Sequence, residues 1–131
     1  MHYNQLNEFM NCKKSVTENI VPGMGATLYC GSDRYPMVVL EVVSPKHIRV
    51  AHVFREHEDK FIENDGIEML PEELLSKYEY MKHADKFSSS YAHALDYTYR
   101  KNYRWMPQGS DMWGTCSIHV GKTDSYLDPC F

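Results

Sequence analysis

The segment from Gly31 to Pro36, GSDRYP, places an acid, a base and an aromatic ring next to one another. Its turn formers and its proline predict a loop between the two apolar runs that flank it. An arginine held on such a loop can bind a phosphate or a carboxylate with two hydrogen bonds, and Tyr35 can stack on a base or fill a partner's pocket. Alternatively, the Asp33 side chain closes an Asx turn by a hydrogen bond to the backbone, and Arg34 ties down a neighbouring strand.

Aromatic and basic side chains are interleaved toward the C-terminus, a composition typical of protein interfaces and of base-stacking surfaces. These residues are Tyr97, Tyr99, Arg100, Lys101, Tyr103, Arg104, Trp105, Trp113 and Tyr126. In the alternative interpretation, Tyr97, Tyr99 and Trp105 form the core face of a sheet. Trp113 lies in a turn-rich stretch and is the better candidate for an exposed anchor. The predicted binding residues are Asp33, Arg34, Tyr35, Tyr103, Arg104, Trp113 and Tyr126.

Residue types that could catalyse a reaction occur between His52 and Asp59, but their spacing is unfavourable. His57, Glu58 and Asp59 are of metal-ligand type, yet the segment fits neither the H-E-x-x-H helix motif nor a calcium loop. The three serines at 88–90 lack the G-x-S-x-G context of a nucleophile, and PGMGAT lacks the lysine of a phosphate-binding loop. The sequence therefore predicts no catalytic residue, no metal site and no cofactor.

Composition limits the classes of protein further. The chain has 131 residues and a formal net charge of -4, so non-specific nucleic-acid binding through general electrostatic attraction is not expected. No run approaches the roughly 18 apolar residues of a membrane span, and the N-terminus lacks the apolar stretch of a signal peptide. A cytoplasmic location is expected, with the four scattered cysteines as reduced thiols.

Hydrophobic periodicity predicts one β-rich domain preceded by a helix. Residues 1–21 are predicted as an amphipathic helix and connector, and residues 22–131 as a single β-rich domain. Within that domain, MVVLEVV and HIRVAHVF are expected to pair as an antiparallel hairpin, with both faces of the first strand covered. LDYTYRK and RWM predict a second hairpin, ATLYC and CSIHV predict further strands, and SYLDPCF is expected to be extended.

An insert is predicted at about residues 54–94. LPEELLSKY within it is typical of a short helix that begins at Pro71, and YEYM is predicted to be a short strand. The expected fold is therefore α+β but mainly β: a small antiparallel curled sheet or an SH3-like barrel, with an N-terminal helix and one short inserted helix.

Four sequence blocks in a fixed order resemble a group of small uncharacterised proteins of bacteriophages and other mobile elements. They are G-x-G-A-T, SDRYP with the strands that follow it, Y-T-Y-R-K-N-x-R-W, and Y-x-D-P-x-F. The resemblance covers roughly residues 23–53 and 97–131, and it implies an origin in a phage or mobile element without supplying a catalytic residue. Where the group has Asn-Gly in a hairpin turn, this chain has Asn102-Tyr103, which could place a ring on an exposed tip; Cys130 stands where serine is expected.

Three functional hypotheses follow from these observations. The first is a non-enzymatic phage accessory protein, a counter-defence inhibitor that binds a host defence protein or sequesters a small nucleotide signal in the host cytoplasm. The second is a small metal-dependent hydrolase or nuclease that uses His57, Glu58 or Asp59. The third is a housekeeping β-barrel binding module of the phage. The sequence leaves homo-oligomer formation open.

Overall fold

Six antiparallel strands close into a barrel, and a helical insert covers part of its outside. A computed structural model describes residues 18–85, 89, 91–101, 103–109 and 116–126. The barrel strands, in their order around the barrel, are β1 (Gly25–Cys30), β2 (Asp33–Ser44), β3 (His47–His52), β6 (Leu95–Tyr99), β7 (Trp105–Pro107) and β8 (Cys116–Val120). The prediction of a small antiparallel β-rich fold is confirmed, and the two predicted hairpins are β2–β3 and β6–β7.

The closure of the barrel follows from strands that are distant in the sequence. β8 pairs with β1, and β6 pairs with β3, each in antiparallel register. Two irregularities interrupt the β2–β3 register, between Val39 and Glu41 and between Val42 and Ser44, and register shifts of this kind are typical of bulged strands in small barrels. The predicted N-terminal helix and connector span residues 1–21, of which residues 1–17 lie outside the described residues. Within the described part of the chain, no helix has the length and apolarity needed to cross a membrane.

Strand β2 is covered on both faces, as its continuous apolar run predicts. Met37 and Val39 point into the barrel, where they join a buried cluster that includes Trp105. Val38 and Leu40 point outward and are buried against the insert. Because a strand alternates its side chains between two faces, the single run MVVLEVV contributes to both hydrophobic cores.

The insert consists of short elements around one buried tyrosine. Its elements are a 3₁₀ helix (Arg55–His57), the hairpin β4 (Ile62–Asn64) and β5 (Ile67–Met69), the helix α1 (Glu72–Leu75) and a second 3₁₀ helix (Ser76–Lys82). The predicted helix after Pro71 is confirmed. The prediction of a strand at YEYM is wrong: Tyr78 and Met81, three residues apart, both face the core, which is the period of a 3₁₀ helix.

Tyr78 connects the insert to the end of β3. Its hydroxyl accepts a hydrogen bond from the Phe54 backbone N–H at 2.9 Å and lies 2.9 Å from His57 Nδ1. The Phe54 and Tyr78 rings stack, with 4.4 Å between their centroids. Burial raises the pKa of Tyr78 to about 12, so the hydroxyl stays protonated at neutral pH and can donate a hydrogen bond to the imidazole.

Replacing Tyr78 with phenylalanine is expected to lower the free energy of unfolding by about 1–3 kcal/mol, since the partly buried Phe54 N–H and the buried His57 ring lose their partner. Tyr80→Phe is the matched control, because Tyr80 lies on the same 3₁₀ helix and is 56% exposed. Urea titration of the two variants and the wild type measures the difference. Equal stabilities for both variants would show that the hydroxyl contacts contribute nothing.

Candidate binding surface

The GSDRYP segment is a tight turn followed by strand. Gly31 has φ of 61°, a backbone conformation that glycine adopts without strain, and Gly31 and Ser32 alone connect β1 to β2. Cys30 therefore pairs directly with Asp33, and Asp33–Pro36 belongs to β2. The prediction of a loop over these residues is wrong, and the consequence is that alternate side chains point to opposite faces.

Arg34 lies on the outer face of the barrel and is surrounded by contacts. Its Nη1 lies 2.7 Å from Asp124 Oδ2, and its guanidinium carbon lies 5.4 Å from the centre of the Tyr29 ring and 6.0 Å from that of Tyr126. The hydrogen bond with Asp124 is the main cause that raises the pKa of Arg34. The side chain nevertheless keeps 42% of its surface exposed. In this structure the arginine ties down a neighbouring segment, one of the two roles that its sequence context predicts.

That neighbouring segment follows β8 and crosses the outside of β1 and β2. Its backbone pairs with β2: the Arg34 N–H donates to Tyr126 O at 2.7 Å, and the Tyr126 N–H donates to Arg34 O at 2.9 Å. Upstream, Thr123 donates to both carboxylate oxygens of Glu68, through its backbone N–H at 3.1 Å and its hydroxyl at 3.0 Å. The Thr27 hydroxyl donates to Lys122 O at 2.7 Å. These bonds fix the positions of Asp124 and Tyr126.

A continuous row of side chains links Arg34 to Arg104. Tyr29 is the cross-strand partner of Arg34 on β2 and of Ser117 on β8, so all three side chains share the outer face. Arg104, immediately before β7, donates from Nη2 to Ser117 Oγ at 2.9 Å. We call the resulting patch the arginine–tyrosine surface. It consists of Tyr29, Arg34, Arg104, Ser117, Asp124 and Tyr126.

Tyr103 precedes this surface in the β6–β7 hairpin and has an unusual backbone conformation. Its φ is 61°, its N–H donates to Arg100 O at 3.0 Å, and the Arg100 N–H donates to Arg104 O at 3.0 Å. Hairpins of this kind normally place glycine at the left-handed position. The side chain of Tyr103 is 81% exposed, so no packing compensates for the backbone strain. The ring therefore stands in solvent beside Arg104, at the tip that the sequence predicts.

The other predicted binding residues lie elsewhere. Asp33 and Tyr35 point to the opposite face of β2 from Arg34, and the Tyr35 hydroxyl makes a long hydrogen bond of 3.4 Å to Asp33 Oδ2. Trp113 lies outside the described residues. Tyr97 and Trp105 are buried in the barrel core, as the structural interpretation of the aromatic residues predicts. The structure thus places Arg34, Arg104 and Tyr126 on one surface, with Tyr103 directly before Arg104 in the chain, and it puts Asp33 and Tyr35 on the opposite face of β2.

Sequence reasoning missed three members of the surface: Tyr29, Ser117 and Asp124. Tyr29 and Ser117 are positioned by the pairing of β1 with β8, which leaves no local signal in the sequence. The position of Asp124, two residues before the predicted binding residue Tyr126, weakly indicates a place on the same surface. Nothing in the sequence, however, predicts its contact with Arg34.

The candidate metal ligands of the sequence have other roles or positions. His57 is buried, and its Nδ1 is engaged by the Tyr78 hydroxyl at 2.9 Å. Asp59 is exposed. Across the described ranges, the His, Cys, Asp and Glu side chains form no group of three or more that could hold a metal ion.

Comparisons with known proteins identify no relative. No family model matches the chain, and neither the curated proteins nor the solved structures contain a match.

Proposed function

We propose that this protein is a non-enzymatic accessory protein of a phage or mobile element that inhibits a host defence protein by binding it through the arginine–tyrosine surface and Tyr103. The observation that carries the proposal is Tyr103. A tyrosine at φ 61° lowers the stability of the fold, whereas glycine would not. The ring is exposed in the free protein, so its burial does not offset this cost. A ring kept in solvent at such a cost is explained if it is buried against a partner.

The chemistry of the surface suits a protein partner. Tyrosine and arginine are enriched among residues that dominate binding free energy. Here Arg104 and Tyr126 stand at the two ends of the arginine–tyrosine surface, and the exposed Tyr103 directly precedes Arg104 in the chain. The phage origin in the proposal is based on the four sequence blocks that resemble proteins of mobile elements. Inhibition, as the consequence of binding, is part of the proposal and is based on the same resemblance.

A nucleotide signal is the less favoured ligand. A phosphate that used Arg34 would compete with Asp124, whose carboxylate is already 2.7 Å from the guanidinium. A hydrolase or nuclease is also less favoured, because the His57 ring that it would use is buried and hydrogen-bonded to the Tyr78 hydroxyl. A housekeeping module that binds phage nucleic acid is opposed by the net charge of -4.

The test is affinity purification of the tagged protein from host cells, comparing the wild type with Arg104→Ala and Arg55→Ala. Arg55 is an exposed arginine of the insert and serves as the matched control. We expect one host protein to be recovered with the wild type and with Arg55→Ala, and its recovery to fall at least about 10-fold with Arg104→Ala, the size of effect expected of an interface arginine. Thermal denaturation confirms that the variants are folded.

Two results would contradict the proposal. Equal recovery of the host protein with both variants would place the contact away from the arginine–tyrosine surface. A rise in melting temperature with one member of a panel of linear and cyclic nucleotides, without a co-purifying protein, would support sequestration of a nucleotide instead.

A further inference from the structure

Two cysteines face each other across the seam where the barrel closes. Cys30, the last residue of β1, is the cross-strand partner of Cys116, the first residue of β8. Both side chains are half-buried and pack against the hydrophobic cluster inside the barrel. The two thiols are 86 positions apart in the sequence, from 30 to 116, and only the closure of the barrel brings them together.

The backbone hydrogen bonds define which kind of cross-strand pair this is. The Gly121 N–H donates to Gly25 O, so the hydrogen-bonding groups of Gly25 face β8. By alternation, the N–H and C=O groups of Thr27 and Tyr29 face β8 as well. On the other side of β1, the backbone of Arg34 is bonded to Tyr126 and points away from β1. The N–H and C=O groups of Asp33 therefore face β1, and those of its partner Cys30 face β2. Both observations make Cys30 and Cys116 a non-hydrogen-bonded pair.

This geometry is compatible with a disulfide bond. Non-hydrogen-bonded pairs have Cα atoms about 4.5 Å apart and side chains closer than in the alternate pairs. A disulfide needs Cα atoms roughly 4.4–6.8 Å apart, so the backbone does not have to move far. The contact is also reflected in the acidity of Cys30: burial, and then the hydrogen bond with Cys116, raises the pKa of Cys30 to about 12.

We propose that Cys30 and Cys116 form a reversible disulfide bond that fixes the β1–β8 seam of the folded barrel. The bond would lie next to the Tyr29–Ser117 pair, so oxidation would hold together the strands that carry the centre of the arginine–tyrosine surface. This inference does not depend on the proposed function, because it concerns the closure of the barrel alone.

A low-molecular-weight disulfide such as glutathione disulfide is the oxidant. The thiolate of one cysteine attacks it, releases one glutathione thiolate and forms a mixed disulfide. The second cysteine then attacks the protein sulfur of that mixed disulfide, forms the intramolecular S–S bond and releases the second glutathione. The two protein thiols lose two electrons and two protons, and glutathione disulfide becomes two molecules of glutathione. Because the thiolate is the reactive form, the high pKa of Cys30 predicts slow attack by Cys30 at neutral pH.

The experiment incubates the full chain with glutathione disulfide, in native buffer and in denaturant, and maps the linked peptides by mass spectrometry after alkylation. In native buffer we expect the Cys30–Cys116 link as the main product, a loss of mass equal to two hydrogen atoms, and the same link in a Cys12→Ser, Cys130→Ser variant. In denaturant the links are expected to be distributed over all four cysteines. Cys116→Ser is expected to stop at a glutathione adduct on Cys30.

Melting temperature supplies the second measurement. Closing so long a loop in an unstrained native geometry is expected to raise the melting temperature by roughly 5–15 °C, and reduction by dithiothreitol is expected to reverse the rise. The proposal is overturned if glutathione adducts persist on Cys30 in the folded wild type, or if the link forms only in denaturant. It is also overturned if the linked protein melts at or below the temperature of the reduced one.

Discussion

Tyr103→Gly is expected to make the protein more stable and to weaken its binding to the partner by about 30-fold or more. Tyrosine in the left-handed conformation costs roughly 1–2 kcal/mol relative to its preferred backbone, and glycine removes that cost. Glycine also gives the unfolded chain more conformational freedom, so the net gain in the free energy of unfolding is about 0.5–1 kcal/mol. Loss of a ring that is buried at an interface costs about 2 kcal/mol or more, which gives the change in affinity.

The opposite signs of the two effects distinguish a binding role from a structural one. Urea titration measures the stability, and titration of the purified host partner measures the affinity. Tyr103→Phe retains the ring and is expected to keep both properties close to those of the wild type. Tyr103→Asn loses the ring but tolerates the left-handed backbone, so it is expected to bind as poorly as Tyr103→Gly. Unchanged affinity in the glycine variant would remove the main support for the proposed function.

The parts of the fold that the sequence predicts are those with local patterns. Alternation of apolar residues defines β2 and β3 with the turn between them, and β6 and β7 are found in the same way. The pairings of β1 with β8 and of β3 with β6 join segments that are distant in the sequence. The hydrophobic periodicity within each segment does not indicate which strand it pairs with. The β2–β3 and β6–β7 hairpins are therefore predictable from this sequence, while the closure of the barrel is not.

The misassigned loop at GSDRYP shows how a proline can mislead. Proline lacks the N–H that a ladder needs, so Pro36 favours a loop in a sequence-based interpretation. In the structure the backbone of Arg34 points away from β1 toward Tyr126, and by alternation that of Pro36 does as well. β3 pairs with β2 only from Met37 onward, so Pro36 interrupts no ladder hydrogen bond. The strand continues through the proline, and Arg34 thereby gains its place on the outer face.

Of the predicted binding residues, the sequence locates individual candidates better than it groups them. The exposure of Tyr103 could be predicted, because a residue in the turn of a hairpin lies away from the hydrophobic core. The Arg34–Asp124 contact could not, since it depends on a C-terminal segment that crosses two strands before it pairs with β2. Long-range contacts of this kind assemble the arginine–tyrosine surface, whereas local patterns indicate only its parts.

Gly25→Ala is expected to displace that C-terminal segment and to lower the free energy of unfolding by about 1–3 kcal/mol, as overpacking does. A Cβ atom on Gly25 would lie 2.9 Å from Thr123 Cγ2 and 3.1 Å from the ring of Phe61. The first distance forces Thr123 to move, and the second requires the Phe61 ring to shift by a few tenths of an ångström. The smaller conformational freedom of the unfolded alanine chain offsets only part of this loss. Urea titration measures the effect, and the affinity for the host partner is expected to fall with it, because the segment positions Asp124 and Tyr126.

Thr123→Ser is the matched second change, because it removes Cγ2 and keeps the hydroxyl that donates to Glu68. In the double variant the closer of the two contacts is absent. About 1 kcal/mol of the lost free energy of unfolding is therefore expected to be regained, together with part of the affinity. The Phe61 contact remains, and recovery is therefore incomplete. If the two substitutions have strictly additive effects on stability, Thr123 does not pack on Gly25 in solution. Coupled recovery of stability and affinity would instead show that the docking of this segment on β1 assembles the binding surface.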